Sequence, residues 1–465
     1  MATNQPNIVF VLCDNIGWGD FSCYGGTTPT PRIDELASGG IRFNNYTVES
    51  QCTPTRSAIL TGRQSVRSGT YKVPTPGSGA KSGLVPWEYT IAELLSDAGY
   101  ATSLFGKWHC GETEGRLPND QGFDEWWGYK NSADEAGWTS YAAFNALAEK
   151  MGLDTPHIWE GVKGSKSTEV RELNLEVRPL LDELIVGKTT DYIKAKADQP
   201  FFTYVGLANM HPPEAVHPDF DQTDPSRLGL YADVIAELDH RVGQIMDCLD
   251  EAGIADNTLL VFSSDNGAGL IDTVPHGGSS GPFRGGFFTP PWEGSMRTAA
   301  MVRYPGTVPE GVVTEQMLSA HDWYQTFAAF AGASDKVPTD RPMDGVDASE
   351  FLQGTSEETG RESLLFFGPD GGLMSSKWRQ VKVVLRHCEG IADPIVQPQF
   401  PMFFDLGSDP GERYNLFQFK LDMGWMFGVA FSSIAQFEKT VAQYPNIEPG
   451  EEFDGYPASA STQKG

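Results

Sequence analysis

The chain has 465 residues, 40% hydrophobic and 11% aromatic, which is ample for a large buried core and leaves no block reading as disordered. Its 62 acidic residues against 34 basic ones give a formal charge of −28, a surface that excludes nucleic acid and acidic membranes as partners. An anionic substrate would be repelled at long range too, so a site for one must gather the scarce cations locally.

The first residues run from Met1 to Pro6 without a basic or apolar leader, and no stretch reaches the ~18 apolar residues of a membrane span. The default expectation is therefore a cytoplasmic protein, or a periplasmic or secreted one if a leader has been trimmed. Six cysteines (13, 23, 52, 110, 248 and 388) in so long a chain do not form a disulfide framework.

Asn7 to Cys13 is a continuous apolar run, the pattern of a strand covered on both faces, and it ends at Asp14-Asn15-Ile16-Gly17. Thr90 to Gly99 reads as a helix with a glycine stop, and Ala101 to Phe105 as a strand ending at Gly106-Lys107-Trp108-His109. Phe201 to Leu207 is another strand, ending at Asn209-Met210-His211-Pro212-Pro213. From about Leu230 to Ala252 a helix places Tyr231, Val234, Ile235, Leu238, Val242, Ile245, Met246 and Leu249 on one face. Thr258 to Phe262 then runs into Ser263-Ser264-Asp265-Asn266-Gly267. This alternation predicts an α/β fold, a large and mostly parallel sheet sandwiched by helices.

Beyond about Ser356 the texture changes. Leu364 to Phe367, Trp378 to Leu385 and Met402 to Leu406 read as short strands, followed by a helix near Ala430 to Ala442. The expected division is a catalytic domain over 1–355 and a small α+β subdomain over 356–465. The aromatic and methionine residues of Met423 to Phe431 are expected to pack as core.

Asp14, Lys107, His109, His211, Asp265 and Asn266 all fall just past the C-terminal end of a predicted strand, the edge where open α/β sheets bind ligands. Four clusters far apart in sequence thus read as one site. Asp14, Asp265 and Asn266 offer hard oxygen donors that suit Ca²⁺ or Mg²⁺ rather than zinc; singly, each is an ordinary loop cap.

The run Cys52-Thr53-Pro54-Thr55-Arg56, continuing through Thr61-Gly62-Arg63, resembles the signature of type I sulfatases, within the alkaline phosphatase superfamily. Asn7-Ile8-Val9-Phe10 with Asp14 to Asp20, Gly106 to Gly111, Ser264 to Gly267 and Asp405 to Glu412 resemble further motifs of that family, in the same order. The resemblance implies an alkaline phosphatase-like fold and an arylsulfatase-like hydrolase of sulfate esters. It implies that a formylglycine-generating enzyme oxidises Cys52 to an aldehyde whose hydrate is the nucleophile. Arg56, Lys107, His109 and His211 become its catalytic helpers, and Asp14, Asn15, Cys52, Asp265 and Asn266 surround calcium, or magnesium.

Two positions depart from the family. Asn15 stands where the family has a second aspartate, which costs the site one negative charge. Around Phe288 and Thr289, ahead of Glu293-Gly294-Ser295-Met296-Arg297, the family's sulfate-binding lysine is missing, and Arg284 is the nearest cation to replace it. These departures keep open a phosphonate or phosphate ester hydrolase on the same fold, and a non-catalytic binder of sulfated ligands. The loops around 73–87, 137–165 and 270–291 are expected to select the leaving group. The expected partners are a small anionic sulfate ester and the maturation enzyme, with no nucleic acid, no membrane and an undetermined oligomeric state.

Overall fold

A computed structural model describes residues 5–74, 79, 81–223, 229–270, 277–419 and 424–457. Parts of the loops expected to line the pocket (75–78, 80 and 271–276), and residues 420–423, therefore lie outside the described residues.

The apolar run Asn7–Cys13 forms β1, buried along its whole length at the middle of an 11-stranded sheet. In chain order the other strands are β2 (Ile41–Thr47), β3 (Ala101–Lys107), β4 (Glu125–Tyr129), β5 (His157–Val162), β6 (Thr168–Glu172), β7 (Phe201–Gly206), β8 (Thr258–Ser264), β9 (Arg297–Arg303), β10 (Val312–Thr314) and β11 (Leu318–Ser319). The spatial order is β10-β2-β9-β8-β1-β7-β3-β4-β5-β6, with β11 beside β2. Strands β8, β1, β7, β3 and β4 run parallel, whereas β9 and the outer β5 and β6 pair antiparallel, so the sheet is mixed and mostly parallel, as expected.

Alternation along β1 divides the core. Ile8, Phe10 and Leu12 face α2 (Cys52–Thr61), α3 (Ile91–Asp97) and, later in the chain, α8 (Asp322–Phe330). Val9, Val11 and Cys13 face α1 (Pro31–Ser38), α5 (Leu181–Lys196) and α6 (Leu230–Glu251). The apolar face read for α6 is that buried face; only Tyr231 reaches its rim, where its hydroxyl donates to Asp20 at 2.8 Å. Helix α3 starts with a reciprocal cap: Glu93 N–H donates to Thr90 Oγ1, and Thr90 N–H to the Glu93 carboxylate.

The later strands form a four-stranded antiparallel sheet in sequential order: β12 (Ser363–Phe367), β13 (Leu373–Trp378), β14 (Val381–Val384) and β15 (Met402–Asp405). The single strand expected over Trp378 to Leu385 is in fact the end of one strand, a turn at Arg379 with φ of 51°, and a second strand. The last helix, Met426–Gln443, begins earlier than read from sequence and covers this sheet through Met426, Ala430 and Ile434. Of the aromatic stretch, Phe427 packs inward while Trp425 and Phe431 are about half exposed.

The two sheets are joined by buried charge. Glu293 begins the short α7 (Glu293–Met296) and is 1% exposed. Its carboxylate accepts from Arg297 Nε at 2.7 Å, Lys377 Nζ at 2.9 Å and Lys382 Nζ at 3.0 Å, and Lys382 also pairs with Glu412 at 2.9 Å. Burial opposes the charge on Glu293, but Lys377, Lys382 and Arg297 outweigh it and hold the carboxyl well below its usual range. No described helix is long and apolar enough to cross a membrane.

Candidate active site

Because β8, β1, β7 and β3 are adjacent and parallel, their C-terminal ends open on one edge, and Asp14, Asp265, Lys107 and the loop bearing His211 emerge there together. Glycines let the strands close up beneath them. Gly106 sits at φ 105°, and a Cβ there would lie 1.9 Å from the Gly206 carbonyl oxygen; a Cβ on Gly128 would come as close to the Gly106 carbonyl. Any side chain at these positions would push Lys107 away from Asp14.

Cys52 is the first residue of α2, a helix whose ten residues are all buried. Its sulfur lies 3.7 Å from Asp14 Oδ1, at the helix end whose free N–H groups favour an anion. One turn on, Arg56 donates from Nε and Nη2 to Asp265 Oδ2 at 3.1 and 2.8 Å, and reaches Asp14 Oδ2 at 3.5 Å. Its Nη1 donates to the Lys107 carbonyl at 3.1 Å. Lys107 Nζ closes the cluster on Asp14 Oδ2 at 2.6 Å. Two cations thus meet two carboxylates, all four wholly buried.

Burial opposes ionisation of Asp14, but Lys107, His211 and Arg56 outweigh it and lower its pKa. For Asp265, burial and the neighbouring Asp14 charge win and raise it. Burial, then Asp14 and Asp265, push the Cys52 thiol well above its usual range, so as a bare cysteine it keeps its proton and is a poor nucleophile.

Asn15 adopts φ 57°, a conformation asparagine tolerates, and its Oδ1 accepts from Asn266 Nδ2 at 2.6 Å. Asn266 Oδ1 is buried and has no hydrogen-bond partner. Ligand atoms of Asp14, Cys52 and His211 lie within 4.8 Å of one another. An orphaned amide oxygen among buried carboxylates fits a hard divalent cation. The thiol–imidazole–carboxylate grouping alone would equally suit a softer metal.

His109 is tied to α2 through its backbone, whose carbonyl accepts from Thr53 Oγ1 at 2.7 Å. Its Nδ1 is buried without a partner, and burial, Lys107 and Arg56 hold the ring well below its usual pKa. His211 Nε2 shares a hydrogen bond with Ser132 Oγ at 2.9 Å, and burial lowers its pKa against the pull of Asp14.

The loop carrying His211 is fixed from the start of α5 and the turn just before it. Asp182 accepts from Ala208 N–H at 2.6 Å and Asn209 N–H at 3.2 Å, while Arg178 donates to Asn209 Oδ1 at 3.0 Å and the His211 carbonyl at 2.7 Å. Ser132, Arg178, Asp182 and Tyr204 (hydroxyl 3.5 Å from Arg56 Nη1) were not legible as site residues, because no local spacing announces a contact made across the sheet.

Arg284 is engaged elsewhere. Its guanidinium pairs with Glu389 at 2.8 Å, donates to the Glu412 carbonyl at 3.2 Å, and lies 3.6 Å from the centre of the Trp292 ring. None of these partners belongs to the cluster around Cys52.

With this geometry in view, comparison with known proteins is specific. A family model described as Sulfatase matches residues 6–333. N-acetylgalactosamine-6-sulfatase of Canis lupus familiaris is 32% identical over 447 residues, covering 89% of this chain and 82% of that protein. Arylsulfatase A of Homo sapiens is 35% identical over 439 residues, covering 89% and 84%. The crystal structure of PsFucS1 sulfatase from Pseudoalteromonas sp. superposes with a TM-score of 0.88 at 28% identity, covering 96% of this chain and 92% of that one.

Proposed function

The chain belongs to the sulfatase family and is an arylsulfatase-like hydrolase of sulfuric esters, and on that premise we propose that it acts through a formylglycine made from Cys52 beside a calcium ion. The observation that supports this most is the placement of Cys52 at the start of α2, its sulfur against Asp14 and its thiol held protonated. A thiol so placed is a poor nucleophile but a good position from which another could act. Oxidised by a maturation enzyme and hydrated, residue 52 would present one hydroxyl to attack sulfur and a second through which sulfate is later released. A calcium ion held by Asp14, Asn15, Asp265 and Asn266 would draw charge from the sulfate oxygens.

The chain's own residues do the rest. Arg56 fixes Asp265 and Asp14 and the end of β3, so that carboxylates and cations share one frame. Lys107, charged and pinned by Asp14, offsets the negative charge of the bound sulfate. His211, oriented by Ser132, gives a proton to the ester oxygen as its bond to sulfur breaks. His109, with Nδ1 free, accepts the proton released when sulfate departs. In sum one water is consumed, the S–O bond to the alcohol breaks, and alcohol and sulfate leave.

One observation favours a second reading, a phosphonate or phosphate ester hydrolase on the same fold. The family's sulfate-binding lysine is absent near Phe288, and Arg284 is engaged with Glu389 and Trp292. Turnover of 4-nitrophenyl sulfate beside a phenyl phosphonate ester and a phosphate diester decides between them, on protein whose residue 52 has been checked by peptide mass. Preference for the sulfate is expected; preference for a phosphorus ester would overturn the substrate class while leaving the nucleophile.

A further inference from the structure

Arg178 and Asp182 are each 1% exposed, and both direct their charge at residues 208–211. The two Asp182 oxygens accept separately, Oδ1 from Ala208 N–H at 2.6 Å and Oδ2 from Asn209 N–H at 3.2 Å. Arg178 Nη2 reaches the Ala208 carbonyl at 3.4 Å, Asn209 Oδ1 at 3.0 Å and, at 2.7 Å, the carbonyl of His211 itself. On the sheet side the same segment meets the backbone of Asp14. Asp14 N–H donates to the Asn209 carbonyl at 3.0 Å, and Met210 N–H to the Asp14 carbonyl at 2.6 Å. Glu183 and Glu237 hold the far end of the loop, at His217 Nε2 (3.1 Å) and His217 N–H (2.9 Å).

Buried charges are a costly way to fasten a loop. Burial raises the Asp182 pKa against the pull of the Ala208 N–H, Arg178 and the Asn209 N–H. Docking α5 does not require them, since Leu181, Ile185, Val186 and Ile193 already bury its apolar face. What the pair fixes is the short path from the end of β7 to His211.

The His211 ring has few holds of its own. Nε2 meets Ser132 Oγ at 2.9 Å, Nδ1 turns back on the Pro212 carbonyl at 2.9 Å, and Asp134 stands 4.0 Å away. Its place beside Asp14 is therefore set largely through its backbone. A general acid must come within about 2.6–3.2 Å of the oxygen it protonates, and a displacement of about 1 Å can cost about 100-fold.

We propose that Arg178 and Asp182 are positioning residues for His211, fixing residues 208–211 against Asp14 so that the imidazole stands where it can protonate the leaving oxygen. The assignment rests on the reading of His211 as proton donor. The pair should then matter only as much as proton delivery does. An alkyl sulfate, which would otherwise release a strongly basic alkoxide, needs it; 4-nitrophenyl sulfate, whose phenolate leaves unaided, needs it little.

The test measures kcat/KM on both esters for wild type, Asp182→Asn, Arg178→Lys, His211→Gln and the double variant Asp182→Asn with His211→Gln, each with residue 52 checked by peptide mass. Asp182→Asn turns one accepting oxygen into a donor that faces a backbone N–H. It should lower alkyl sulfate turnover at least about tenfold more than 4-nitrophenyl sulfate turnover. In the double variant it should add less than about threefold to the loss from His211→Gln alone. Arg178→Lys keeps the charge but not the reach of the guanidinium, should show the same bias between esters, and decides the matter if Asp182→Asn does not fold. Equal losses on both esters, or a full further loss once His211 is gone, would overturn the proposal and leave the pair as a general support of the Asp14 backbone. If His211→Gln itself lowers both esters equally, the proton-donor reading falls instead, and the positioning role with it.

Discussion

Replacing Glu293 by glutamine keeps the shape but removes one buried charge and turns one of two accepting oxygens into a donor. In the native chain Arg297, Lys377 and Lys382 share Glu293, with Glu412 as the other carboxylate of the cluster. After the substitution Arg297 and Lys382 face one carboxylate, and Lys377, which burial already holds down to about 7 against the pull of Glu293, gives up its proton. Breaking a buried pair by removing one partner costs about 3–5 kcal/mol. Unfolding entropy of about 2.1 cal/mol/K per residue gives roughly 1 kcal/mol/K for a chain of this length, so the thermal midpoint should fall about 3–5 °C at neutral pH. The folded-state pKa of Glu293 lies well below its unfolded value of about 4.3, so its contribution is complete above that value and is lost as pH falls through the folded-state pKa. The gap between wild type and Glu293→Gln should therefore be full at neutral pH and begin to close below about pH 4. Scanning calorimetry across that range measures it. A shift under about 1 °C at neutral pH, or a gap that ignores acidification, would show that these charges are solvated rather than mutually dependent.

Other expectations concern the site. Cys52→Ala should abolish turnover of 4-nitrophenyl sulfate with the thermal midpoint nearly unchanged; substantial residual activity would remove residue 52 as nucleophile. Asn15→Asp restores a carboxylate beside Asp14 and should tighten calcium binding, read by calorimetric titration, and unchanged affinity would take Asn15 out of the ligand set. His211→Gln should cost roughly 10²–10⁴-fold with an alkyl sulfate, whose leaving oxygen needs a proton, and much less with 4-nitrophenyl sulfate. Because burial lowers the His211 pKa, alkyl sulfate turnover in wild type should fall as pH rises through a value below 6.5; equal losses on both substrates would reassign this histidine. Arg284→Ala should leave KM for 4-nitrophenyl sulfate within about tenfold of wild type, since its guanidinium is held by Glu389 and Trp292, and a larger rise would return it to the sulfate.

The parts of the fold set by local pattern were legible from sequence. The unbroken apolar run of Asn7–Cys13 could only be a doubly covered strand, and the spacing from Val234 to Leu249 only a helix with one buried face. Strand ends followed by acids, amides and histidines then placed Asp14, Lys107, His211 and Asp265 on one edge before any contact was known. What escaped was set by distant partners. Lys377 and Lys382 lie in short strands where no local pattern marks them as buried; Glu293 and Glu412, far off in the chain, are what bury them. Arg379 sits in a left-handed turn without a glycine to mark it, which is why two strands read as one.

The burial of α2 has a consequence for timing. Cys52 is 3% exposed, and Thr53, Pro54, Thr55 and Arg56 behind it are buried to the last residue of the motif. A second protein cannot read that run in the closed molecule without pulling a helix out of the core and parting Arg56 from Asp265. Any maturation that recognises residues 52–56 must therefore reach them while the chain is still open, in the interval between synthesis and collapse. The converted fraction would then be fixed at birth, by the race between oxidation and folding, and supplying the maturation enzyme to finished protein would repair nothing.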